Sequence, residues 1–471
     1  MAISAAGKFR DTATFGFELE FLMLFRGSGT TDPLRLEKGE QQRRVPHPIQ
    51  EEPGDLTDDG DGPHEVHTKR LQYFGREIAK KLTDAGIITS YRRRAHPEDV
   101  EIPESEDEEP GLGDFDEFRY SSYKQNAIVP EETMIWTDPA ANGRRMTVKP
   151  EAQAGYFWLG LEFVSKAHKY RDFDIAKSDL DTVCKVLRAN YAVSINVGKD
   201  TADRSSRCAT HVHWGISGAE YDLVTVKRIL TLMWVAEEKL MRLHATWRQD
   251  ATKYAALLQK GTNMATACPL TCPDWTNKPG TGNWVREMDQ NVPPKVQRSL
   301  HREQPKIRWL WRAETVSDLA SLVGEVTKLR RASVAITELL PATSNFIGKV
   351  RRSQLNTIEF RHMQGSLNPT LIAAWIEVTA EIMCRCIESP PEDFSSFMTD
   401  VADCVADENG TEQELLSKLG VRREACLIFR DFNQQQLDEE ANPMISRFLP
   451  DPYDGRDRGA SRAGRSPSHD R

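Results

Sequence analysis

The stretch "TFGFELEFLML", residues 14–24, constrains the fold of this chain more than any other. Read with period two, Phe15, Phe17, Leu19, Phe21 and Met23 point to one side of a strand. Gly16, Glu18, Glu20, Leu22 and Leu24 point to the other. The apolar side predicts a strand packed on a core, and the two glutamates then share the opposite side about 7 Å apart. Buried there, they repel each other and cost several kcal/mol to desolvate unless a cation meets them. The segment therefore asks for a sheet and for something positive above it.

Two further segments repeat the arrangement. "CATHVHWG" puts His211 and His213 on one face of a strand around Val212, and "NTIEFRHMQ" does the same with Glu359 and Arg361 around Phe360. A lone His-x-His is most often a core feature, but three such pairs in one sheet bring their polar faces to one cleft. Carboxylates with imidazoles and no thiolates suit hard divalent ions, Mg²⁺ or Mn²⁺. Arg361 beside them suits a phosphate or carboxylate, because the planar guanidinium binds two oxygens at once. Metal, carboxylates and arginine together are equipment for phosphoryl transfer. The sequence contains no P-loop and no G-x-G-x-x-G between strand and helix, so ATP would need another holder, such as a metal-lined sheet.

Two rival metal readings fail. Cys268, Cys272, Cys384 and Cys386 do not make a zinc site, because the second pair lies in a helical pattern where i and i+2 diverge. "DDGDG" is not a calcium loop, since Lys69 stands at the twelfth position from Asp58.

With 471 residues, 39% of them hydrophobic, the chain can bury a large core as two or three domains or as one with insertions. A net charge of -9 lacks the basic footprint of a nucleic-acid binder. No apolar run is long enough to span a membrane, and the start has no signal-like h-region. Eight scattered Cys fit reduced thiols. The expectation is an intracellular, cytoplasmic protein with neither nucleic acid nor membrane as partner.

Residues 27–68 and about 95–120 read as disordered insertions; the second carries eleven acids and no base between 98 and 117. Residues 451–471 read as a basic low-complexity tail, and either the acidic insertion or this tail offers a surface for a protein partner. Helices are expected over 68–86, 174–190, 222–244 and 370–388, the last capped by Asn368 with Pro369 at its first position. Residues 260–305 read as irregular. Periodicity weakens after 388, leaving a helical extension over 389–450. Strands and helices intersperse without regular alternation, which predicts an α+β fold with a mainly antiparallel sheet.

"FGFELEFL", "CATHVHWG" and "NTIEFRHMQGSLNPTLIAAWIEV" resemble the three signature blocks of the amidoligase family, carboxylate–amine ligases related to glutamine synthetase and glutamate–cysteine ligase. "GLEFVSK" resembles a fourth block, Gly-x-Glu-x-x-Ser-Pro, with Lys166 in place of the proline. The four stand in the family's order and span residues 14–388. The resemblance implies a glutamine-synthetase-like catalytic domain whose mainly antiparallel sheet forms a half-barrel cleft packed with helices. It implies that Glu18, Glu20, His211 and Glu359 hold Mg²⁺ (or Mn²⁺), with Glu162 and Glu131 as candidates for a further ligand. Glu131 lies in "VPEETM", where relatives carry an Asp-x-Ser-like segment, and Glu162 is equally readable as a strand-edge charge.

The resemblance further implies that His213 and Arg361 contact phosphate or substrate. Arg248, ahead of Tyr254, matches a second family arginine, unless it is a helix-surface charge. The implied activity is ATP-dependent ligation of a small-molecule or peptide carboxylate to an amine through an acyl phosphate. A metal-dependent hydrolase and a catalytically inactive amidoligase-like interaction protein are the alternatives.

Overall fold

The computed structural model describes residues 9–28, 50–54, 56, 63–92, 125–130, 156–194, 208–245, 248, 255–266, 283–299, 304–324, 332–340, 345–346, 349–350 and 356–440. Its centre is β1 (Ala13–Arg26), the strand expected from the glutamate-bearing segment. Around it stand β2 (Gln50–Glu51), β3 (Thr89–Tyr91), β4 (Asn126–Pro130), β5 (Tyr156–Val164), β6 (His168–Lys169), β7 (Ala192–Ser194), β8 (Ala209–Ile216) and β9 (Val334–Ala335). β10 (Asn345–Phe346) and β11 (Lys349–Val350) pair separately, and β12 (Thr357–Gln364) returns to the main sheet. The sheet order is β3-β4-β5-β1-β8-β12-β9, with β2, β6 and β7 also on β1. Pairing is antiparallel except for β1–β2 and β3–β4. The fold is thus mixed α+β with a mostly antiparallel sheet.

At 14 residues β1 is long enough to change partners along its length. β8 pairs with Ala13–Leu19, β7 with Leu22–Leu24 and β5 with Glu18–Arg26. This register sets Glu18 opposite His211, Glu20 opposite Glu162 and, one strand further, Glu359 opposite His213.

The other side of β1 is the core. Phe15, Phe17, Leu19, Phe21, Met23 and Phe25 are no more than 1% exposed, and Val212, Trp214, Ile358 and Phe360 join them. Each such burial contributes about 1.5–3 kcal/mol. The helices Pro63–Asp84, Phe173–Asn190, Leu223–Met241 and Pro369–Glu388 supply apolar side chains to the same core. Asn368 caps the last of these by accepting from the Thr370 and Leu371 N–H groups, with Pro369 at its first turn.

The Leu223–Met241 helix is buried nearly all round instead of along one stripe, and the burial includes Lys227, Arg228, Glu237 and Lys239. Helices Gln304–Arg312, Val316–Val323 and Pro391–Ala406 pack on it. Its cations survive there because carbonyls meet them. Lys227 donates to the Trp311 carbonyl at 2.8 Å, and Arg228 to those of Cys386 and Ser389.

Several expectations change. The segment 27–68 is not wholly an insertion: β2 pairs with β1, and a helix begins at Pro63. Glu52 is buried under a two-pronged bond from Arg70 at 2.8 and 2.9 Å, which ties the segment to that helix. The stretch 260–305 is helical where described, over Asn263–Thr266, Trp284–Asn291 and Pro294–Ser299.

Beyond 388, where a helical extension is expected, three helices, Pro391–Ala406, Glu412–Leu419 and Arg423–Glu440, pack into the same core. Their stops and starts are chemical: Pro391, a Thr411–Glu414 capping box, and Gly420 at φ 93°. Residues 95–120 and 451–471 lie outside the described residues, as do Cys268 and Cys272. Cys384 and Cys386 are buried in a helix, where desolvation pushes both thiols up. Among the described residues no helix is long and apolar enough to cross a membrane.

One core histidine has a measurable consequence. His168 is buried beside the Phe15 and Phe17 rings, at 5.6 and 6.0 Å, with no hydrogen-bond partner for Nε2 among the described residues. Burial, helped by Lys166, pushes it down to about 4 from the usual 6.5. Between pH 6.5 and 4 the unfolded chain binds a proton there that the folded chain refuses. Stability is therefore full above 6.5 and falls by roughly 3 kcal/mol as pH drops to 4. Urea unfolding of His168→Phe across that window should give a shallower pH slope than the wild type; identical slopes would refute this.

Candidate metal centre

Period two along β1, β8 and β12 carries Glu18 and Glu20, His211 and His213, and Glu359 and Arg361 to the face opposite the phenylalanines. There they converge. Glu18 Oε2 is 3.0 Å from His211 Nδ1, and Glu18 Oε1 is 3.2 Å from His213 Nε2. Glu359 Oε1 lies 3.4 Å from His211 Nδ1 and 3.9 Å from His213 Nε2. Glu20 Oε1 is 3.8 Å from His211 Nε2, while its other oxygen accepts from the Ala209 N–H at 2.7 Å. The Arg361 guanidinium is bonded to Glu359 and stands 3.4 Å from His211 Nδ1. Glu359 is fully buried, His211 and His213 nearly so, and Glu18 is partly open.

Glu162 joins the group. Its strand β5 is interior, between β4 and β1, so it is no edge charge, and its side chain is 1% exposed. Two overlapping triads result: Glu18, His213 and Glu359, and Glu18, Glu162 and His211. In each, one ligand atom per residue lies within 4.8 Å of the others. Glu18 belongs to both.

The electrostatics follow from burial and these contacts. Burial alone would raise the Glu18 carboxyl, but the His213 charge and hydrogen bonds from His211 and His213 outweigh it and hold the group well below the usual range. Burial, then the Arg361 charge, pushes His211 down to about 4. His211 is thus a neutral ring facing an ionised carboxylate. A proton on Nδ1, toward the Glu18 oxygen 3.0 Å away, would leave Nε2 as a lone pair. That atom is buried, with no hydrogen-bond partner among the described residues. A histidine that donates from one nitrogen to a carboxylate and presents the other bare is the arrangement of a metal ligand. The donor set of carboxylate oxygens and imidazoles fits a hard divalent ion at each triad.

The remaining expected residues separate. Arg248 is buried and donates to backbone carbonyls, Nη2 to Arg361 at 2.5 Å and Nε to His362 at 3.1 Å, so it is no helix-surface charge. Glu131 and Tyr254 lie outside the described residues. One neighbour escaped the sequence reading: Thr357 Oγ1 is 3.5 Å from His213 Nδ1. It stands two residues before Glu359, so the same period-two count would have found it. No family model matches this chain, and no curated protein matches it.

Proposed function

We propose that this chain is an ATP- and Mg²⁺-dependent carboxylate–amine ligase built on a glutamine-synthetase-like cleft, forming an amide or isopeptide bond through an acyl phosphate. The observation that carries the reading is the pair of overlapping triads sharing Glu18, with an arginine at their border. A carboxylate cannot expel oxide, so an amine attacks it only after its oxygen has been phosphorylated. Bound divalent ions would supply charge neutralisation across the ATP phosphates.

In this reading Glu18, Glu20, Glu162, His211 and Glu359 hold the ions. His213 completes one triad and borders the phosphate side, as its resemblance-based role requires. Arg361 orients the transferred phosphoryl group through its fork. The substrates are a small-molecule or peptide carboxylate and an amine.

The test is ADP and phosphate release from Mg²⁺-ATP with pooled carboxylates and amines. The expected result is substrate-stimulated turnover that Glu20→Gln and Glu359→Gln each reduce by about 2–4 kcal/mol of transition-state stabilisation. Turnover surviving both substitutions would refute the assignment. Hydrolysis without ATP would point to a metal-dependent hydrolase, and failure to bind ATP with Mg²⁺ present to a non-catalytic interaction protein.

A further inference from the structure

β12 does not pair evenly with β8. Phe360 is opposite Val212 and Met363 is opposite Thr210, so Arg361 and His362 together face the single residue His211. This is a β-bulge, a device that re-aims side chains next to functional sites and leaves backbone groups without ladder partners. Here Arg361 stays with Glu359 in the metal centre, while His362 turns into the helical layer, 5.7 Å from the Trp375 ring.

The backbone groups at the bulge are held from outside the β8 ladder. The Arg361 N–H donates to the Ser333 carbonyl at 2.8 Å. Arg248 donates to the carbonyls of both bulge residues. His362 Nε2 donates to Glu237 Oε1 at 3.0 Å, and the Ser333 hydroxyl donates to the same oxygen. The Leu258 N–H takes the other Glu237 oxygen at 2.6 Å. Glu237 and Ser333 are fully buried, His362 is 1% exposed and Arg248 6%. Charges so deep are weak contributors to stability compared with apolar side chains of the same volume. Their geometry instead fixes one short segment, the one that carries Arg361.

We infer that Glu237, Ser333, His362 and Arg248 are positioning residues that aim the Arg361 guanidinium at the phosphate side of the metal centre. The inference rests on the proposed role of Arg361. Glu237 and His362 bond each other on the helical side of the sheet, with Ser333 and Leu258 as the further partners of Glu237, so their substitution reads positioning. A carboxamide at 237 cannot accept all three hydrogen bonds, and a leucine at 362 cannot donate; a glutamine at 362 still can.

The experiment titrates purified full-length protein with Mn²⁺ alone, then with tripolyphosphate at saturating Mn²⁺. It also records the ¹⁵N-arginine Nε–H spectrum, with the Arg361 signal assigned by its loss in Arg361→Lys. Glu237→Gln and His362→Leu are expected to keep Mn²⁺ affinity within about threefold. They should weaken tripolyphosphate about tenfold or more and displace the Arg361 resonance. His362→Gln should restore both. Should Glu237→Gln fail to fold, the two His362 variants decide.

An unchanged resonance with unchanged tripolyphosphate affinity would overturn the inference. So would equal losses of Mn²⁺ and tripolyphosphate, which would mean that the network holds the whole sheet. If Arg361→Lys itself binds tripolyphosphate like the wild type, the phosphate role of Arg361 falls. The positioning network is then judged by the resonance.

Discussion

Glu18→Gln is expected to abolish Mn²⁺ binding at both positions of the metal centre, whereas Glu162→Gln and Glu359→Gln each remove one. The reason is the shared ligand: Glu18 is the single residue common to both triads. Its carboxylate faces His211 through one oxygen and His213 through the other. The amide of glutamine keeps one acceptor but loses the charge and one oxygen. Loss of a residue supporting a ligand costs 10–100-fold in metal affinity, so loss of the shared ligand should cost at least about 100-fold, or ~2.7 kcal/mol. Isothermal titration with Mn²⁺ reads stoichiometry and affinity together. Two sites in the wild type, one in each outer variant and none in Glu18→Gln is the expected series. Equal effects of all three substitutions would contradict the two-triad arrangement.

Trp214→Ala is expected to destabilise the fold by about 3–5 kcal/mol. Trp214 alternates with His213 on β8, so the strand that presents the histidines on one face is anchored by this indole on the other. The ring lies 5.3 Å from Phe15 and Tyr170 and 5.9 Å from Phe9, and is fully buried. Its Nε1 donates to Thr379 Oγ1 at 2.9 Å, joining β8 to the Pro369–Glu388 helix. Alanine leaves a cavity at the sheet–helix boundary. Trp214→Phe keeps most of the apolar volume and should cost less than half as much. Urea midpoints separate the two, and a Trp214→Ala protein as stable as the wild type would refute this account of how β8 is fixed.

Much of the site was legible because it is built on strands. Period two alone assigns Glu18, Glu20, His211, His213, Glu359 and Arg361 to polar faces, and nothing in the packing overrides it. Register was not legible. Whether Glu162 meets Glu20 depends on β5 pairing with β1 along nine residues, a long-range fact that leaves its sequence ambiguous between ligand and edge charge. The bulge was invisible for the same reason, since it exists only relative to β8. Arg248 illustrates the limit most clearly: its partners are carbonyls more than a hundred residues away, and no side-chain pattern announces a backbone acceptor.

The helices after residue 388 were readable from their caps, Pro391, the Thr411–Glu414 box and Gly420. Their membership in the core was not. It follows from packing on the Leu223–Met241 and Pro369–Glu388 helices, both buried almost all round.

The most direct test of the central claim is anomalous diffraction from crystals of the protein soaked in Mn²⁺. Two anomalous peaks are expected, one within bonding reach of Glu18, His213 and Glu359 and the other of Glu18, Glu162 and His211, at the oxygen and nitrogen distances that Mn²⁺ adopts. An absence of peaks at this cluster, in crystals whose Glu18 and Glu359 side chains are ordered, would contradict it.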